Sequence, residues 1–483
     1  MLYIYFSKIL IILTIFANGS NLLQITNQWS SIQQIPNFED TARAPLLVAD
    51  RERNIHVLNY ESIGQLQNAI IYRKWNPEDG WSPPVDIILV GLGGGPQTLQ
   101  GAVIDENQTI HIIFYIGTDQ SGDMYYSFAK ANKANDASSW AKPIIIGKKA
   151  GPLPFANLSL SEDNHLFVFY GSELEGNGLY MVHSENMGEG WSQPIALYVV
   201  TQDKRWPAAI RSTIGPDGTV HVVWSIVSDL GVGEEIHYGR LNAELNGLEI
   251  ETTIAKREGS DYSTSWPELI HDGKQLILLF QDSFPATRFM SVSKDNGETW
   301  TLPIQPFPYI GEYEFTSMKK DSNGEIHLVL GNRIGNPEIH GMWYSKWLGN
   351  RWSSLEPITS GPVTSVYDPS APQSVILQGN ILFVTWWNNV QRDKLTGAWF
   401  SYKKLDAEEL SIVPINTPTN TVTPIEENPI ATPTKQISQT PVATNQNFNS
   451  NSSSYMPATS IFLGLIPAVI FIIIFYIYKK KQG

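Results

Sequence analysis

Tryptophan recurs along this chain at a nearly constant interval. Trp29, Trp81, Trp140, Trp191, Trp300 and Trp352, with Leu248 filling the one gap, lie 52, 59, 51, 57, 52 and 52 residues apart. Several close a turn-like stretch: "NPEDGW", "NDASSW", "SENMGEGW", "SKDNGETW" and "SKWLGNRW". In the fullest copy, Asp295 can accept hydrogen bonds from the backbone amides ahead of it, and Gly297 supplies positive φ. Trp300 then opens the next strand.

A second marker interleaves with the first. "NIHVLNY", "TIHIIFY", "HLFVFY", "TVHVVW", "QLILLF", "EIHLVL" and "ILFVTW" are β-branched and aromatic runs, each preceded by a turn signal. Aligning His56, His111, Phe167, His221, Ile277, His327 and Phe383 gives steps of 55, 56, 54, 56, 50 and 56. Two markers sharing one period, with about four short strands per unit, predict an all-β β-propeller. Each unit reads as a first strand such as "PAAIR", a second such as "TVHVVW", a third such as "EIHYGR", the Asp-type turn, and a fourth strand. The chain begins with a fourth-type strand, "WSSIQQI", and ends with a third-type strand, "AWFSYKKL". The early segment is therefore expected to complete the last blade and remove the free edges. Counting markers predicts seven blades; six follows if one unit is displaced.

"SKDNGETW" resembles the Asp-box (BNR) repeat, Ser/Thr-x-Asp-x-Gly-x-x-Trp, of the sialidase superfamily. The resemblance covers about residues 25 to 410. It implies a sialidase-like propeller, although family sialidases have six blades. It also implies that the boxes are scaffold and that ligands bind on the opposite face, where first strands begin and second strands end.

The two ends carry different signals. "MLYIYFSKILIILTIFANGS" has Lys8, an apolar run and small residues at a cleavage-like site, and so reads as a signal peptide over 1–19. The propeller is assigned to 25–412. Residues 413–459 mix Pro with Thr, Asn, Gln and Ser and read as a disordered stalk. Residues 460–478 are almost wholly apolar and precede Lys479, Lys480 and Lys481, predicting a transmembrane helix with 479–483 as a cytoplasmic tail. The expected location is the cell membrane, single-pass, with the propeller outside. The chain carries 33 Lys+Arg against 47 Asp+Glu and no Cys. That balance argues against nucleic acid as a partner and removes any thiolate chemistry. A monomer with no cofactor is expected. The four marker histidines occupy one strand position in different blades, too far apart to share a metal, so no metal site is predicted.

The face opposite the boxes should bring together carboxylates, arginines and aromatics suited to a sugar or a small anion. The sialidase resemblance implies an arginine clamp for a substrate carboxylate, a Tyr nucleophile paired with a Glu, and an acid/base Asp. "ARAP" resembles the family's Arg-Ile-Pro motif and makes Arg43 the first clamp residue; "RWP" repeats the motif at Arg205. Arg333 and Arg392, with Asp203 and Asp261, complete the expected ligand set, and Arg288 is a further available arginine. Glu61 is the one charged residue of "ESIGQLQN", where the family shows Glu-x-Arg and then Asp. Tyr367 lies upstream of "APQSVIL", where Pro372 occupies the family's Tyr slot. Glu61 and Tyr367 are therefore the catalytic candidates, with no matching acid. Three readings follow: a glycan-binding propeller with catalysis unproven, an active sialidase-type exo-glycosidase, and a protein-binding adhesion or assembly module.

Overall fold

The computed structural model describes residues 28–38, 45–64, 67–89, 97–118, 121–151, 156–259, 263–282, 287–307, 316–332, 338–364, 367–388 and 397–413. The segments read as signal peptide, stalk, membrane helix and tail lie outside them. Among the described residues no helix is long and apolar enough to cross a membrane.

The fold is all-β. Among the described residues the strands form six antiparallel sheets, one of them eight-stranded because an Ala150–Ser172 pairing joins two units. Seven sheet units therefore follow one another along the chain. The first sheet runs Leu46–Ala49, Ile55–Gly64, Gln67–Asn76 and Val85–Leu89. The second runs Gln97–Ile104, Thr109–Gly117, Gly122–Lys130 and Ile144–Ala150; the third, Ala156–Leu160, Leu166–Ser172, Gly178–Ser184 and Ile195–Val199. Arg205–Ile214, Val220–Ser228, Gly233–Leu241 and Leu248–Lys256 make the fourth. The fifth has Ser265–His271, Leu276–Asp282 and Thr287–Ser293, with its outer position reduced to a bridge between Met290 and Ile304. The sixth is Ser317–Lys320, Ile326–Asn332, Gly341–Lys346 and Glu356–Ser360. Pro369–Leu377, Ile381–Asn388 and Ala398–Lys404 build the seventh, and its outer strand is Gln33–Gln34 from the start of the chain. Gln33 pairs with Phe400 and Gln34 with Trp399, while the Ser30 amide donates to the Tyr402 carbonyl.

Each innermost strand contacts the innermost strand of the next sheet, and that of the seventh contacts that of the first. The sheets are thus the blades of a β-propeller-like ring around a central channel. Closure by the early strand follows from edge physics: joining the two ends of the chain in one sheet satisfies backbone groups that an open edge would expose.

The marker residues explain how neighbouring blades lock. In blades 1, 2, 4 and 6, His56, His111, His221 and His327 are buried on the second strand. Each places Nδ1 at 2.7 to 2.8 Å from a third-strand tyrosine hydroxyl, on Tyr72, Tyr126, Tyr238 and Tyr344. In three of the four, Nε2 faces an aspartate of the preceding turn: Asp50 at 3.1 Å, Asp105 at 3.3 Å and Asp321 at 3.0 Å. In blades 3, 5 and 7 the two corresponding positions change together, to Phe167 and Met181, Ile277 and Met290, and Phe383 and Phe400. The joint change has a simple cause, since either polar partner left alone in the core costs its desolvation.

The Trp of the following blade then packs edge-on against each tyrosine. Trp140 lies 6.5 Å from Tyr72, Trp191 4.9 Å from Tyr126, Trp300 5.0 Å from Tyr238 and Trp29 5.7 Å from Tyr344. The turn before Trp300 is built as its residues require. Ser293 Oγ donates to Asp295 Oδ1 at 2.8 Å and accepts from the Gly297 amide; Asp295 also accepts from the Thr299 amide at 2.9 Å. Gly297 sits at φ +91°, and a Cβ there would overlap the Tyr238 hydroxyl. These turns join third to outer strands and rivet one blade to the next.

Candidate ligand face

Inner strands begin, and second strands end, on the face away from the Trp-bearing turns. Four half-buried aromatic side chains sit at those strand ends: Trp206 and Trp266 on the inner strands of blades 4 and 5, Tyr60 and Trp387 on the second strands of blades 1 and 7. The inner strands are bulged there. Pairing slips between Ala208 and Arg211, between Ser265 and Glu268, and between Ser370 and Gln373. Ala209, Trp266 and Ala371 take positive φ at these slips, at 51°, 56° and 49°. Non-glycine residues in that region are strained, and a bulge re-aims its side chain. Arg288, 1% exposed at the start of a third strand, donates to the Trp266 carbonyl at 3.3 Å and so braces that bulge from beneath.

Several charged groups among the described residues engage one another near this face. Arg205 Nε lies 2.6 Å from Glu234 Oε2, and Arg257 lies 3.4 Å from the other oxygen of the same carboxylate. His237 places Nδ1 at 2.8 Å from Glu251 and Nε2 at 2.7 Å from Glu235, so both ring nitrogens face carboxylates. Tyr198 packs 4.9 Å from that ring. In blade 6, His340 is fully buried between the Gly361 carbonyl at 2.8 Å and Asp368 Oδ1 at 3.2 Å.

The residues singled out from the sequence distribute as follows. Arg43, Asp261, Arg333 and Arg392 lie outside the described residues. Asp203 is exposed just ahead of the blade 4 inner strand, and Arg205 is committed to Glu234. Glu61 is 3% exposed near the end of the blade 1 second strand. Tyr367 precedes the blade 7 inner strand; its ring packs edge-on against His340 at 5.4 Å and its hydroxyl bonds Thr359 Oγ1 at 2.9 Å on the outer strand of blade 6. Burial pushes the Tyr367 phenol above its usual range, the Thr359 bond opposes this, and the nearby Asp368 carboxylate adds to it. Tyr367 is thus directed to the blade 6 side, and the described contacts do not join it to Glu61.

Glu234, Arg257 and the His237 carboxylate pair carry no motif and went unnoticed in the sequence; they meet only because strand ends converge. Two cavities of about 690 Å³ each lie at the opposite face, one lined by Asp272, Gln275 and Trp347 and one by Asp217, Arg240 and Asn296. Their walls are the inter-blade turns. No group of three or more His, Asp or Glu that could hold a metal occurs among the described residues.

No family model matches the chain, and no curated protein matches it. Solved structures do. A PL25 ulvan lyase, solved bound to a GlcA(1-4)Rha3S unit, is 12% identical with a TM-score of 0.50, over 79% of this chain and 97% of that one. The polysaccharide lyase Uly1 is 12% identical with a TM-score of 0.49, over 75% and 90%. The NanB sialidase of Streptococcus pneumoniae is 12% identical with a TM-score of 0.45, over 78% and 71%. At 12% identity the likeness to the PL25 ulvan lyase is one of fold.

Proposed function

We propose that the chain is a membrane-anchored, extracytoplasmic propeller that binds glycans on the face opposite its Trp-bearing turns. The observation that carries this reading is the set of half-buried aromatics at one rim, Tyr60, Trp206, Trp266 and Trp387, two of them on bulged inner strands. Aromatic faces stack on the apolar side of a sugar ring, and neighbouring polar groups fix its orientation. The structural relatives include an ulvan lyase whose solved complex holds a uronic-acid-containing saccharide, which makes an acidic glycan the first ligand to try. The anchor reading draws on the apolar 460–478 segment with its trailing lysines, and the outward placement on the N-terminal signal-like segment.

Catalysis of the sialidase type needs a nucleophile and its activating base in hydrogen-bond reach. Tyr367 instead bonds Thr359, and burial pushes its phenol above the usual range. The test is glycan-array and calorimetric binding by the full-length protein, with Trp266→Ala and Trp206→Ala. Each truncation is expected to weaken binding by about tenfold, the scale of one stacked ring. An activated sialoside should show no turnover between pH 5 and 7. Turnover abolished by Tyr367→Phe or Glu61→Gln would replace this reading with the sialidase one. Unchanged glycan affinity in both Trp variants would remove the aromatic rim as the site.

A further inference from the structure

The interlocking pattern fails at one seam, and a cavity opens there. Between blades 3 and 4 the Trp position holds Leu248, which shares an apolar cluster with Phe167 and Met181. In the same blade 4, Gly215 stands where the other three His-bearing blades place an aspartate. A repeat that breaks its own local rule is where function is to be sought. The cavity, of about 690 Å³, has Phe167, Leu241 and Leu245 as its apolar lining. Its polar lining comes from the turns that follow the inner strands of blades 3 and 4.

That polar lining is rich in acceptors. Among the described residues its one lysine or arginine is Arg240, held by Glu249 at 3.0 Å, Glu298 at 2.8 Å and the Asn296 carbonyl at 2.8 Å. Glu162 and Asp163 are exposed on the blade 3 turn, and Asp217 on the blade 4 turn. Asp217 accepts from the Thr219 amide at 3.0 Å and from the Asn296 side chain at 3.2 Å.

Behind Gly215 lies a further acceptor. His221 is fully buried, and its Nε2 has no hydrogen-bond partner among the described residues. This nitrogen lies 3.5 Å from where a Gly215 Cβ would stand, and Gly215 lines the cavity. The Asn296 amide is near enough to favour a charged ring but is turned to Asp217 and makes no hydrogen bond to Nε2. His221 Nδ1 meets the Tyr238 hydroxyl at 2.8 Å, and that hydroxyl donates to the Asn296 carbonyl at 3.3 Å. The hydroxyl oxygen therefore accepts from Nδ1–H, which leaves Nε2 with a bare lone pair. A buried acceptor in this state calls for a donor.

We propose that this cavity binds a small organic cation, a primary ammonium group on an apolar stem. The stem lies on Phe167, Leu241 and Leu245. The ammonium is drawn to the Glu162, Asp163 and Asp217 carboxylates and gives one N–H, directly or through a water, to His221 Nε2. The site is on the turn face, apart from the aromatic rim, and does not rest on the glycan reading.

The test is calorimetric titration of the full-length protein with pentylamine at constant ionic strength, with pentanol as the uncharged analogue of equal length. The amine should bind with saturation, and the alcohol at least about tenfold more weakly. Glu162→Gln combined with Asp163→Asn should weaken the amine by at least about tenfold. Both side chains are exposed, so this variant should melt with wild type. Asp86→Asn, at an exposed carboxylate on the outer strand of blade 1, should leave affinity unchanged. His221→Phe should weaken the amine several-fold through loss of the acceptor, while Tyr238 keeps its bond to Asn296. Trp266→Ala should leave amine binding intact, so that failure of this site and failure of the glycan reading are told apart. No saturable binding of pentylamine, pentanol binding as tightly, or equal affinity in wild type and the double variant overturns the proposal.

Discussion

His221 makes the blade-locking network sensitive to acid in a calculable way. It is 0% exposed, with Nδ1 on the Tyr238 hydroxyl at 2.8 Å. In blades 1, 2 and 6 an aspartate six residues earlier faces the corresponding Nε2, but in blade 4 that position is Gly215. Burial, followed by the His271 ring stacked 6.3 Å away, pulls the His221 imidazole from 6.5 to about 4; Asp217 opposes this and Arg240 adds to it. Between these values the unfolded chain binds a proton that the folded protein refuses. Stability is therefore complete above pH 6.5 and declines as pH falls towards 4. Over that interval of about 2.5 pH, at 1.36 kcal/mol per unit, this histidine costs about 3 kcal/mol. The assay is reversible urea unfolding of wild type and His221→Phe at half-unit steps from pH 7 to pH 4. Phe is the residue blade 3 carries at the same position, and Tyr238 keeps its bond to the Asn296 carbonyl. The variant should lose about 3 kcal/mol less than wild type across the window, whatever its absolute stability. Parallel curves for the two proteins would refute the argument that His221 is held neutral by burial.

Three further outcomes are expected. Gly297→Ala should destabilise by about 2 kcal/mol or more, from positive φ and overlap with the Tyr238 hydroxyl, measured as a fall in the urea midpoint with ligand binding unchanged. Asp295→Ala should lower the melting temperature without touching glycan affinity, since its carboxylate only organises the turn through Thr299 and Ser293; a selective loss of binding in a folded variant would contradict this. Tyr367→Phe should cost about 1 kcal/mol for the lost Thr359 bond and leave ligand affinity intact.

The repeat was legible in the chain because burial demands were visible at fixed spacing. Trp, the β-branched runs and the Asp–Gly turns are local requirements of a four-stranded blade, so their period predicted the strand order. Pairing of the early strand with Phe400 and Trp399 also followed from the leftover strand types at the two ends. The reciprocal exchange of His221 with Tyr238 against Phe167 with Met181 was also written in the residues. It carried no meaning until strand register placed each pair side by side. The ligand face was legible only as a location. Arg205 carries a motif-like neighbourhood, but its engagement with Glu234 depends on two strand ends meeting.

What the sequence determined by itself is therefore the repeating unit, its strands and turns, and the face on which loops without scaffold duties would gather. Those properties depend on residues a few positions apart. Which charges neutralise one another was decided by tertiary structure: Glu234 by Arg205 and Arg257, and Glu268 by Arg211. Coulomb interactions and hydrogen bonds act over a few ångströms in space, and in a ring of blades those ångströms separate residues 23 to 57 positions apart in the chain.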